Sequence, residues 1–426
     1  MNDQRHTLIL GSGGREHALA HQLAQSEHVG NLYIAPGNGG TLNRATNLPD
    51  VSPNNVNQVA DAIEKHDIGL LVVGPEDPLV NGIRDELAQR FPHLAIVGPG
   101  KHGAQLEGSK DFAKQFMARH GIPTAAYKTF TNAKDAQAYI DKISGPYVLK
   151  ADGLAAGKGV LIINNAEEAK SAVVDMLEGD KFGEAGHRLV IEAFLDGIEF
   201  SVFAAVDGKS HVLLPTAKDY KRIGEGDTGL NTGGMGAVSP PPFVDDALMI
   251  KVEERIVKPT VEGLQAEGID YRGFVFFGLI NVGGDPFVIE YNCRLGDPET
   301  EVVLPRINSD FGELCLGIHN QTLHNYEIDI LPESAATVMV VSGGYPEAYE
   351  KGKEISGLNQ VHDDIMIFHA GTARDGDKLR TNGGRVMAFT AIDDHYQRAL
   401  MHAYNAIDKV CFEGIYFRKD IGFDLP

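Results

Sequence analysis

Short apolar runs alternate with amphipathic stretches along the first quarter of the chain. Each apolar run ends in a turn with glycine or proline, after which apolar positions recur at the spacing of a helix. Strands that alternate with helices predict a parallel, doubly wound sheet whose strand-end loops converge on one crevice. The predicted strands cover 7–10, 32–35, 68–73 and 94–97, and the predicted helices begin near residue 14 and cover 56–66 and 83–90.

The central part of the chain has longer strands and a glycine-rich loop. Helical periodicity covers 104–120, and strands at 146–150 and 160–163 flank the loop, so that it joins two strands and does not open a helix. On a later strand that begins at Phe287, alternate side chains point to opposite faces, which places Glu290 and Asn292 on one face. The other predicted central strands cover 188–195, 197–204 and 274–280.

The last quarter of the chain predicts a small α+β unit. Strands are predicted at 336–341, 365–371 and 385–390, and a helix over 396–410 can pack on them. Because 426 residues exceed one ordinary core, we expect a multidomain protein of mixed α/β and α+β class. The expected domains are 1–103, 104–325 with a smaller lid subdomain at 123–193, and 326–426.

Charge and cysteine usage exclude several classes of protein. The formal net charge is -21, which opposes binding to nucleic acid or to an anionic membrane. Three widely spaced cysteines show neither zinc spacing nor a disulfide framework, which fits a reducing compartment. The sequence shows no signal-peptide pattern and no apolar run of transmembrane length, so we expect a cytoplasmic protein.

A glycine-rich turn between the first strand and the first helix is a candidate anion site. Free backbone amides and the positive end of a helix dipole meet at such a turn. A nicotinamide-binding fold is disfavoured, because Glu16 replaces the third glycine of that motif and no acid ends the next strand. We therefore favour a sugar phosphate or a similar anion over NAD. The candidate residues are Gly13, Gly14, Arg15, Glu16 and His17.

Two further loops of the N-terminal sheet carry polar side chains toward the same predicted crevice. Asn38 and Glu76 each follow the end of a strand. Loops in this position often hold ligands, but asparagine and acidic residues are also common in turns. Both interpretations remain open for these two residues.

The central glycine-rich loop differs from a Walker A loop. Gly153 precedes Gly157 and Lys158 by one residue too few, and Gly159 replaces the Ser or Thr that binds Mg²⁺ there. A flexible loop between two strands suits a lid that closes over phosphates, which Lys150 and Lys158 would neutralise. The alternative interpretation is a glycine-rich hairpin with solvated lysines.

The strand that ends at Asn292 carries a candidate cation site. The carboxylate of Glu290 and the amide oxygen of Asn292 are hard ligands for a divalent cation, and Arg294 follows them for an anionic substrate. The preceding strand at 274–280 offers no carboxylate, so this site would have few protein ligands. An edge strand that exposes polar residues to water is the alternative interpretation.

In their order along the chain, these features resemble those of ATP-grasp ligases. The resemblance implies a central ATP-grasp fold, ATP as substrate, and Mg²⁺ or Mn²⁺ held by Glu290 and Asn292. It also implies that Glu192 and its neighbours contact adenine and that Glu199 holds the ribose. The ATP-binding residues that it implies are Lys110, Lys150, Gly157, Lys158, Gly159, Glu192, Ala193, Phe194 and Glu199.

Longer motifs resemble those of the phosphoribosylamine–glycine ligase (glycinamide ribonucleotide synthetase) family. They lie at 11–18, 35–38, 74–76, 219–236, 294–301 and 381–386, so the resemblance runs nearly end to end. It implies an enzyme that joins glycine to 5-phosphoribosylamine through a glycyl phosphate intermediate, in the second step of de novo purine biosynthesis. ATP would be converted to ADP and phosphate, and no covalent enzyme nucleophile is needed.

The same resemblance suggests how the substrates are held. Arg294 is the candidate partner of the glycine carboxylate or the acyl phosphate, and Asp219 is the candidate partner of an amine. Together with Lys158 they form the expected catalytic set. The expected substrate-binding residues are Gly13, Gly14, Arg15, Glu16, His17, Asn38, Glu76, Asp219, Arg294 and Asp297.

Other functions remain open at this point. They are another ATP-grasp ligase or carboxylase that acts on a purine intermediate, a nicotinamide oxidoreductase, and an inactive nucleotide sensor. The expected partners are small molecules only, and we expect a monomer. His369 has no paired acid or base nearby in sequence, so we interpret it as a packed histidine and not as a catalytic base.

Overall fold

The computed structural model of the chain describes residues 4–154, 159–179 and 187–426. Its N-terminal part is a five-stranded parallel sheet with helices, as the alternating pattern predicted. The elements are β1 (Arg5–Gly11), α1 (Gly14–Leu23), β2 (Val29–Pro36), β3 (Thr46–Asn47), α2 (Val56–Lys65), β4 (Ile68–Val73), α3 (Glu76–Asn81), α4 (Ile83–Arg90) and β5 (Ala95–Val97). The strand order is β3-β2-β1-β4-β5.

Both faces of this sheet are buried, which explains its continuous apolar strands. Ile9 of β1 packs in a core with Leu19 of α1, whereas Leu8 packs in a second core with Ile63 of α2. The loops after the strands converge as predicted. The amide of Gly37 donates to the carbonyl of Gly11 at 3.2 Å, and that of Gly74 donates to Leu10 at 3.1 Å.

The next segment begins with two helices, α5 (Gln105–Gly108) and α6 (Lys110–Arg119). The prediction of one helix over 104–120 was wrong. Ser109 adopts extended backbone angles between the two helices, and its hydroxyl accepts a hydrogen bond from the amide of Phe112. Serine favours this N-cap position because it satisfies an amide that has no partner within the helix.

A four-stranded antiparallel sheet with two helices follows. It contains β6 (Tyr127–Phe130), α7 (Ala133–Ile140), β7 (Tyr147–Ala151), β8 (Val160–Ile163), α8 (Ala166–Glu178) and β9 (Leu189–Ala193), in the strand order β6-β9-β7-β8. Its core, which includes Phe130, Leu149, Val173 and Ile191, is separate from the two larger cores. Because β7 and β8 are antiparallel neighbours, the glycine-rich loop joins two strands as predicted.

The middle of the chain continues with a second four-stranded sheet, in the order β11-β10-β16-β17. The elements up to the end of this part are β10 (Ile198–Asp207), β11 (His211–Leu213), β12 (Lys218–Asp219), β13 (Arg222–Gly224), β14 (Thr228–Asn231), β15 (Gly236–Ser239), α9 (Asp246–Val252), α10 (Lys258–Ala266), β16 (Arg272–Val282), β17 (Asp285–Asn292), α11 (Thr300–Val303) and α12 (Phe311–Asn320). A π-helical turn, Glu253–Val257, joins α9 to α10.

The C-terminal part is α+β, as predicted. It contains β18 (Ser334–Val341), β19 (Glu354–Ile355), β20 (Met366–His369), β21 (Thr372–Asp375), β22 (Lys378–Thr381), β23 (Arg385–Asp393) and α13 (Tyr396–Ile407). Its main sheet has the order β12-β15-β18-β23-β20, and thus includes two strands from the middle of the chain. The glycine-rich segment 219–236 therefore runs between the central and C-terminal parts.

Two further findings concern membrane-spanning helices and disulfide bonds. No helix within the described ranges is long and apolar enough to cross a membrane. Cys293, Cys315 and Cys411, all of which the structure describes, are free thiols, and the first two are buried.

Candidate active site

A cleft of about 760 Å³ lies between the N-terminal part, the β6–β9 subdomain, the central sheet and the C-terminal part. All four contribute side chains to its walls. The predicted site residues that line it are Arg15, Glu76, Lys110, Lys150, Glu192, Glu199, Asp219, Glu290, Asn292, Arg294 and Asp297.

One end of the cleft is rich in lysine. Lys150 of β7 lies 2.9 Å from one carboxylate oxygen of Glu192, and Lys114 of α6 lies 2.9 Å from the other. Burial alone would raise the pKa of Glu192, but the two ammonium groups outweigh it and hold that pKa below its ordinary value. Lys110 donates to the carbonyl of Gly153 at 2.8 Å, at the start of the glycine-rich loop. Burial lowers the pKa of Lys110.

Lys114 is a cleft residue that the sequence reasoning missed. Its pKa is lowered to about 8, chiefly by burial and also by the positive charge of Lys150, against the opposing effect of Glu192. Its ammonium also donates to the hydroxyl of Thr124 at 2.7 Å. The signal for it was its spacing, because residues four apart on a helix lie on the same face and Lys114 follows Lys110 at that spacing.

The remaining residues predicted for ATP lie around this end. Ala193 and Phe194 follow Glu192 at the end of β9 and have exposed side chains, with 41% of Phe194 exposed. Gly159 is buried, and its carbonyl accepts a hydrogen bond from the amide of Ala151 at 2.9 Å. Gly157 and Lys158 lie outside the described residues.

A second cluster of acidic and basic cleft residues comes from β10, β12 and the residues after β12. Lys221 lies 2.9 Å from Glu199 and lowers its pKa. Burial lowers the pKa of Lys221, but Asp219 and Glu199 outweigh that effect and raise it well above the ordinary value. Burial raises the pKa of Asp219. Lys218 pairs with Asp424 at 3.0 Å, so the C-terminal end of the chain reaches the cleft.

Glu290 and Asn292 lie on β17 opposite Gly278 and Phe276 of β16, so the neighbouring strand supplies no carboxylate beside them. No group of three or more His, Cys, Asp and Glu side chains that could hold a metal occurs in 4–154, 159–179 or 187–426. Asn292 is buried, and its amide nitrogen has no hydrogen-bond partner among the described residues. One carboxylate and one side-chain amide fit a hard cation that takes its other ligands from phosphate and water.

Arg294 is clamped between two carboxylates. Its Nε lies 3.2 Å from Glu76 and its Nη2 lies 2.7 Å from Glu107, while Nη1 donates to the carbonyl of Leu295 at 3.3 Å. Burial would lower the pKa of Arg294, but both carboxylates outweigh it and raise that pKa. Glu107 also accepts bonds from the amide and the thiol of Cys293. The pairing of Glu107 with Arg294 could not be predicted from the sequence, because the two residues lie far apart along the chain.

The predicted anion cradle at the start of α1 is engaged by side chains of the protein itself. The amide of Gly13 donates to Glu16 at 2.6 Å, and the amide of Arg15 donates to Asp297 at 3.2 Å. Glu16 also pairs with the guanidinium of Arg15 at 2.6 Å. Gly14 packs against the buried side chain of Glu301.

His17 and Asn38 lie behind this cradle, at the contact with the C-terminal part. His17 accepts a hydrogen bond from the amide of His369 at 2.8 Å, and Asn38 donates to the carbonyls of Ser12 and His369 at 2.9 and 2.7 Å. The side-chain oxygen Oδ1 of Asn38 accepts hydrogen bonds from the amides of Gly40 and Thr41. His369 is buried and hydrogen-bonded, as predicted.

Arg385 is a further cleft residue that the sequence reasoning did not single out. Its guanidinium pairs with the carboxylate of Asp297 at 2.9 Å and donates to the carbonyls of Asp297 and Gly233, both at 2.7 Å. It therefore ties the glycine-rich segment 219–236 to the turn after Arg294. The motif at 381–386 contained it, but a motif alone does not show which side chain reaches another domain.

Comparison with known proteins agrees with this architecture along the whole chain. Residues 5–107, 108–300 and 335–424 match the N domain, the ATP-grasp (A) domain and the C domain of phosphoribosylglycinamide synthetase. The chain is 47% identical over 420 residues to phosphoribosylamine–glycine ligase of Yersinia pestis, with 98% of each chain covered. It is also 47% identical over 421 residues to that of Chlorobaculum tepidum, with 97% of this chain and 98% of the relative covered.

A solved structure extends the comparison to three dimensions. The crystal structure of phosphoribosylamine–glycine ligase from Thermotoga maritima matches with a TM-score of 0.85 at 37% identity, and covers 97% of this chain and 99% of that chain. Sequence and structure thus agree over the N-terminal, ATP-grasp and C-terminal parts. The chain belongs to the phosphoribosylglycinamide synthetase family, the ATP-grasp ligases known as phosphoribosylamine–glycine ligases.

Proposed function

We propose that this chain joins glycine to 5-phosphoribosylamine in the cleft described above and converts ATP to ADP and phosphate. In the first step, a carboxylate oxygen of glycine attacks the terminal phosphorus of ATP, and ADP leaves. In the second step, the amine nitrogen attacks the carbonyl carbon of glycyl phosphate, and phosphate leaves. The observation that carries the proposal is the clamped guanidinium of Arg294, between the lysine-rich end of the cleft and the N-terminal loops.

Arg294 is proposed to hold the glycine carboxylate and then the acyl phosphate. Three of the five N–H groups of its guanidinium have partners among the described residues. The two others suit a carboxylate or phosphoryl oxygen. Glu76 and Glu107 fix the plane of the guanidinium, so that its charge is in place before the substrate arrives.

The lysine-rich end is proposed to bind ATP. Lys110 and Lys150 would face the phosphates with Lys158, and the amides of Gly157 and Gly159 would line the loop that covers them. Glu192, Ala193 and Phe194 would contact the adenine, and Glu199 would hold the ribose. Lys110, Lys150, Glu192 and Glu199 all line the same cleft, and the charge of Lys150 acts on Glu199, which supports one ATP site there.

A divalent cation, Mg²⁺ or Mn²⁺, is proposed at Glu290 and Asn292. When bound, such a cation offsets the negative charge that develops on the transferring phosphoryl group. The two protein ligands would leave most of its coordination to ATP oxygens and water. Substitution of Glu290 by Gln would then weaken metal-dependent ATP binding, which titration at several metal concentrations would measure.

The N-terminal side of the cleft is proposed to bind 5-phosphoribosylamine. Asp219 would hold its amine. Hydroxyl and phosphate groups of the ribose would lie near Arg15, Glu76 and Asp297, which line the cleft. Gly13, Gly14, Glu16, His17 and Asn38 would shape this side from behind, through the contacts that Glu16 and Asn38 make with the strand-end loops.

We also propose that the protein acts as a cytoplasmic monomer with domains at 1–103, 104–325 and 326–426, and that its partners are small molecules only. The net charge of -21 and the free buried thiols support this setting. Light scattering coupled to gel filtration would test the monomer directly.

A coupled assay of ADP release tests the proposed reaction. Release should require both glycine and 5-phosphoribosylamine, which is generated from ribose 5-phosphate and ammonia. Arg294→Ala should reduce turnover by at least about 100-fold, as expected for the loss of one fixed electrostatic group. Arg90→Ala is the matched control, because Arg90 is an exposed arginine away from the cleft. Near-normal turnover of the Arg294 variant would remove its proposed role.

A further inference from the structure

Glu299 is a buried carboxylate in the cleft to which no role has been assigned so far. It is 4% exposed and lines the cleft shortly after the clamped Arg294. The hydroxyl of Ser201 on β10 donates to its Oε1 at 3.3 Å. Its Oε2 lies so close to Gly296 that a Cβ at residue 296 would collide with it. The side chain therefore has a contact on each side, and a larger residue at 296 would displace it.

Charged groups from several elements face this carboxylate. Asp219 comes from β12 and Lys221 follows it, Arg294 comes from the turn after β17, and Arg385 and Glu301 lie farther along the same network. The pKa of Glu299 is raised to about 7, chiefly by burial and also by the charge of Asp219, although Lys221 and Arg294 oppose the rise. A group with such a pKa takes up and releases a proton near neutral pH.

The second step of the reaction requires a proton acceptor. As the carbon–nitrogen bond forms, the bond between the carbonyl carbon and the phosphoryl oxygen breaks, and phosphate leaves with that electron pair. The attacking nitrogen would become a cationic amide unless it loses a proton. The guanidinium of Arg294 stays protonated and has no site for another proton, so we consider the cleft carboxylates as acceptors.

We propose that Glu299 accepts the proton that the amine nitrogen of 5-phosphoribosylamine loses as it attacks glycyl phosphate. This inference rests on the proposed function of the cleft. Glu299 takes the proton on the carboxylate that Ser201 orients, and the neutral acid returns it to water as the products leave. Burial raises the pKa of Asp219 too, but the charges of Lys221 and Lys218 both oppose that rise, and we assign Asp219 to hold the amine.

A nucleophile that needs no base separates this role from a structural one. Hydroxylamine is largely uncharged at neutral pH and attacks acyl phosphates without help, so it converts glycyl phosphate to glycine hydroxamate. Glu299→Gln should reduce ligation of 5-phosphoribosylamine by about 100-fold or more, the range for loss of a general base. Hydroxamate formation from ATP, glycine and hydroxylamine should stay within about threefold of the wild-type rate, since the first step needs no proton acceptor.

Each outcome decides between the roles. Loss of both reactions in Glu299→Gln, or retention of both, would overturn the inference. A wild-type enzyme that forms hydroxamate but does not ligate the amine would overturn the proposed function, and with it the inference. Glu262→Gln is the control, because Glu262 is an exposed glutamate on α10. Both of its reactions should match the wild type.

The pH profile supplies a second and independent test. In the wild type, ligation at limiting amine should fall as the pH drops below about 7, because Glu299 becomes protonated. Asp219→Asn removes a nearby negative charge, so the midpoint of this acid limb should move to lower pH whatever happens to the overall rate. A midpoint that stays in place in Asp219→Asn would contradict the assignment of the limb to Glu299.

Discussion

The guanidinium of Arg418 donates a 2.6 Å hydrogen bond to the carboxylate of Asp227, which joins the C-terminal segment to the β13–β14 hairpin. The Arg418 side chain is fully buried and also binds Asp420, whose carboxylate accepts the amide of Gly226 at 2.7 Å. Tyr416 donates to the carbonyl of Ile223 at 2.9 Å. Because Asp227 lies on the cleft wall, the last residues of the chain hold one side of the candidate active site.

Asp227→Ala should loosen this hairpin more than it destabilises the whole protein. It removes one hydrogen bond to a charged donor, and Arg418 keeps Asp420, so we expect the free energy of unfolding to fall by about 1–3 kcal/mol. Hydrogen exchange of the amides at 222–231 should become faster, and the KM of a substrate should rise. Asp394→Ala removes a partner of an exposed arginine and is the control. Unchanged exchange at 222–231 would show that the contact with Arg418 does not hold the hairpin.

The sequence predicted those features that depend on local patterns. Short continuous apolar runs, helical spacing and glycine turns predicted the N-terminal sheet. Strand alternation placed Glu290 and Asn292 on one face of a strand, and both line the cleft. The prediction of one helix over 104–120 failed at Ser109. The hydroxyl of this residue caps the start of a new helix, and this local hydrogen bond outweighs the helical periodicity of the flanking sequence.

Contacts between distant segments could not be predicted in this way. Glu107 reaches Arg294, Asp227 reaches Arg418 and Gly233 reaches Arg385 only after the domains assemble. From the sequence, Asn38 could be either a ligand of the substrate or a turn residue. In the structure, it spans from the Ser12 carbonyl to that of His369, a contact that depends on the C-terminal part. Sequence reasoning could not say which of these side chains meet.

Glu192→Gln should strongly destabilise the protein. Its carboxylate lies between Lys114 and Lys150, and all three side chains are at most 5% exposed. Removing the negative charge leaves two buried ammonium groups facing each other, a loss of about 3–5 kcal/mol. Chemical unfolding would measure this. The double variant Lys114→Met, Glu192→Gln should recover part of the loss, and exposed Glu178→Gln should show none. If the effects of Lys114→Met and Glu192→Gln on the free energy of unfolding were additive, the two side chains would not be energetically coupled, which would contradict the prediction.

Acid should destabilise the contact between the N-terminal and C-terminal parts. Burial lowers the pKa of His369 to about 4 and that of His17 well below its ordinary value. Both histidines are therefore neutral when folded, whereas in the unfolded chain they take up protons below a pKa of about 6.5. The unfolded state then binds more protons, so stability is full above that pH and falls as the pH drops toward 4.

His369→Gln measures the size of this effect. For His369 alone, the loss between neutral pH and pH 4 is roughly 3 kcal/mol, because one pKa unit corresponds to about 1.4 kcal/mol. Unfolding at a series of pH values should show a shallower acid dependence in the variant than in the wild type. His93→Gln changes an exposed histidine and should leave the dependence intact. An identical slope in His369→Gln would rule out this residue as a source of acid lability.

Glu301→Gln should stabilise the protein at alkaline pH. Glu301 is fully buried against Gly14, and neither of its carboxylate oxygens has a hydrogen-bond partner among the described residues. Burial raises its pKa well above the ordinary value, and the nearby carboxylate of Asp297 adds to that effect. The unfolded chain releases this proton at a lower pH than the folded protein does. Stability contributed by the neutral acid is therefore present below about pH 4.3 and is lost as the pH rises.

Glutamine has nearly the same shape and cannot ionise, so the variant avoids this loss. We expect its free energy of unfolding to exceed that of the wild type by an amount on the order of 1 kcal/mol at pH 8. The difference should shrink as the pH is lowered toward 4, where both side chains are neutral in both states. Glu262→Gln, at an exposed position, should show no difference at either pH. A Glu301→Gln variant that is less stable than the wild type at pH 8 would contradict the expectation that ionisation of this buried carboxyl costs stability.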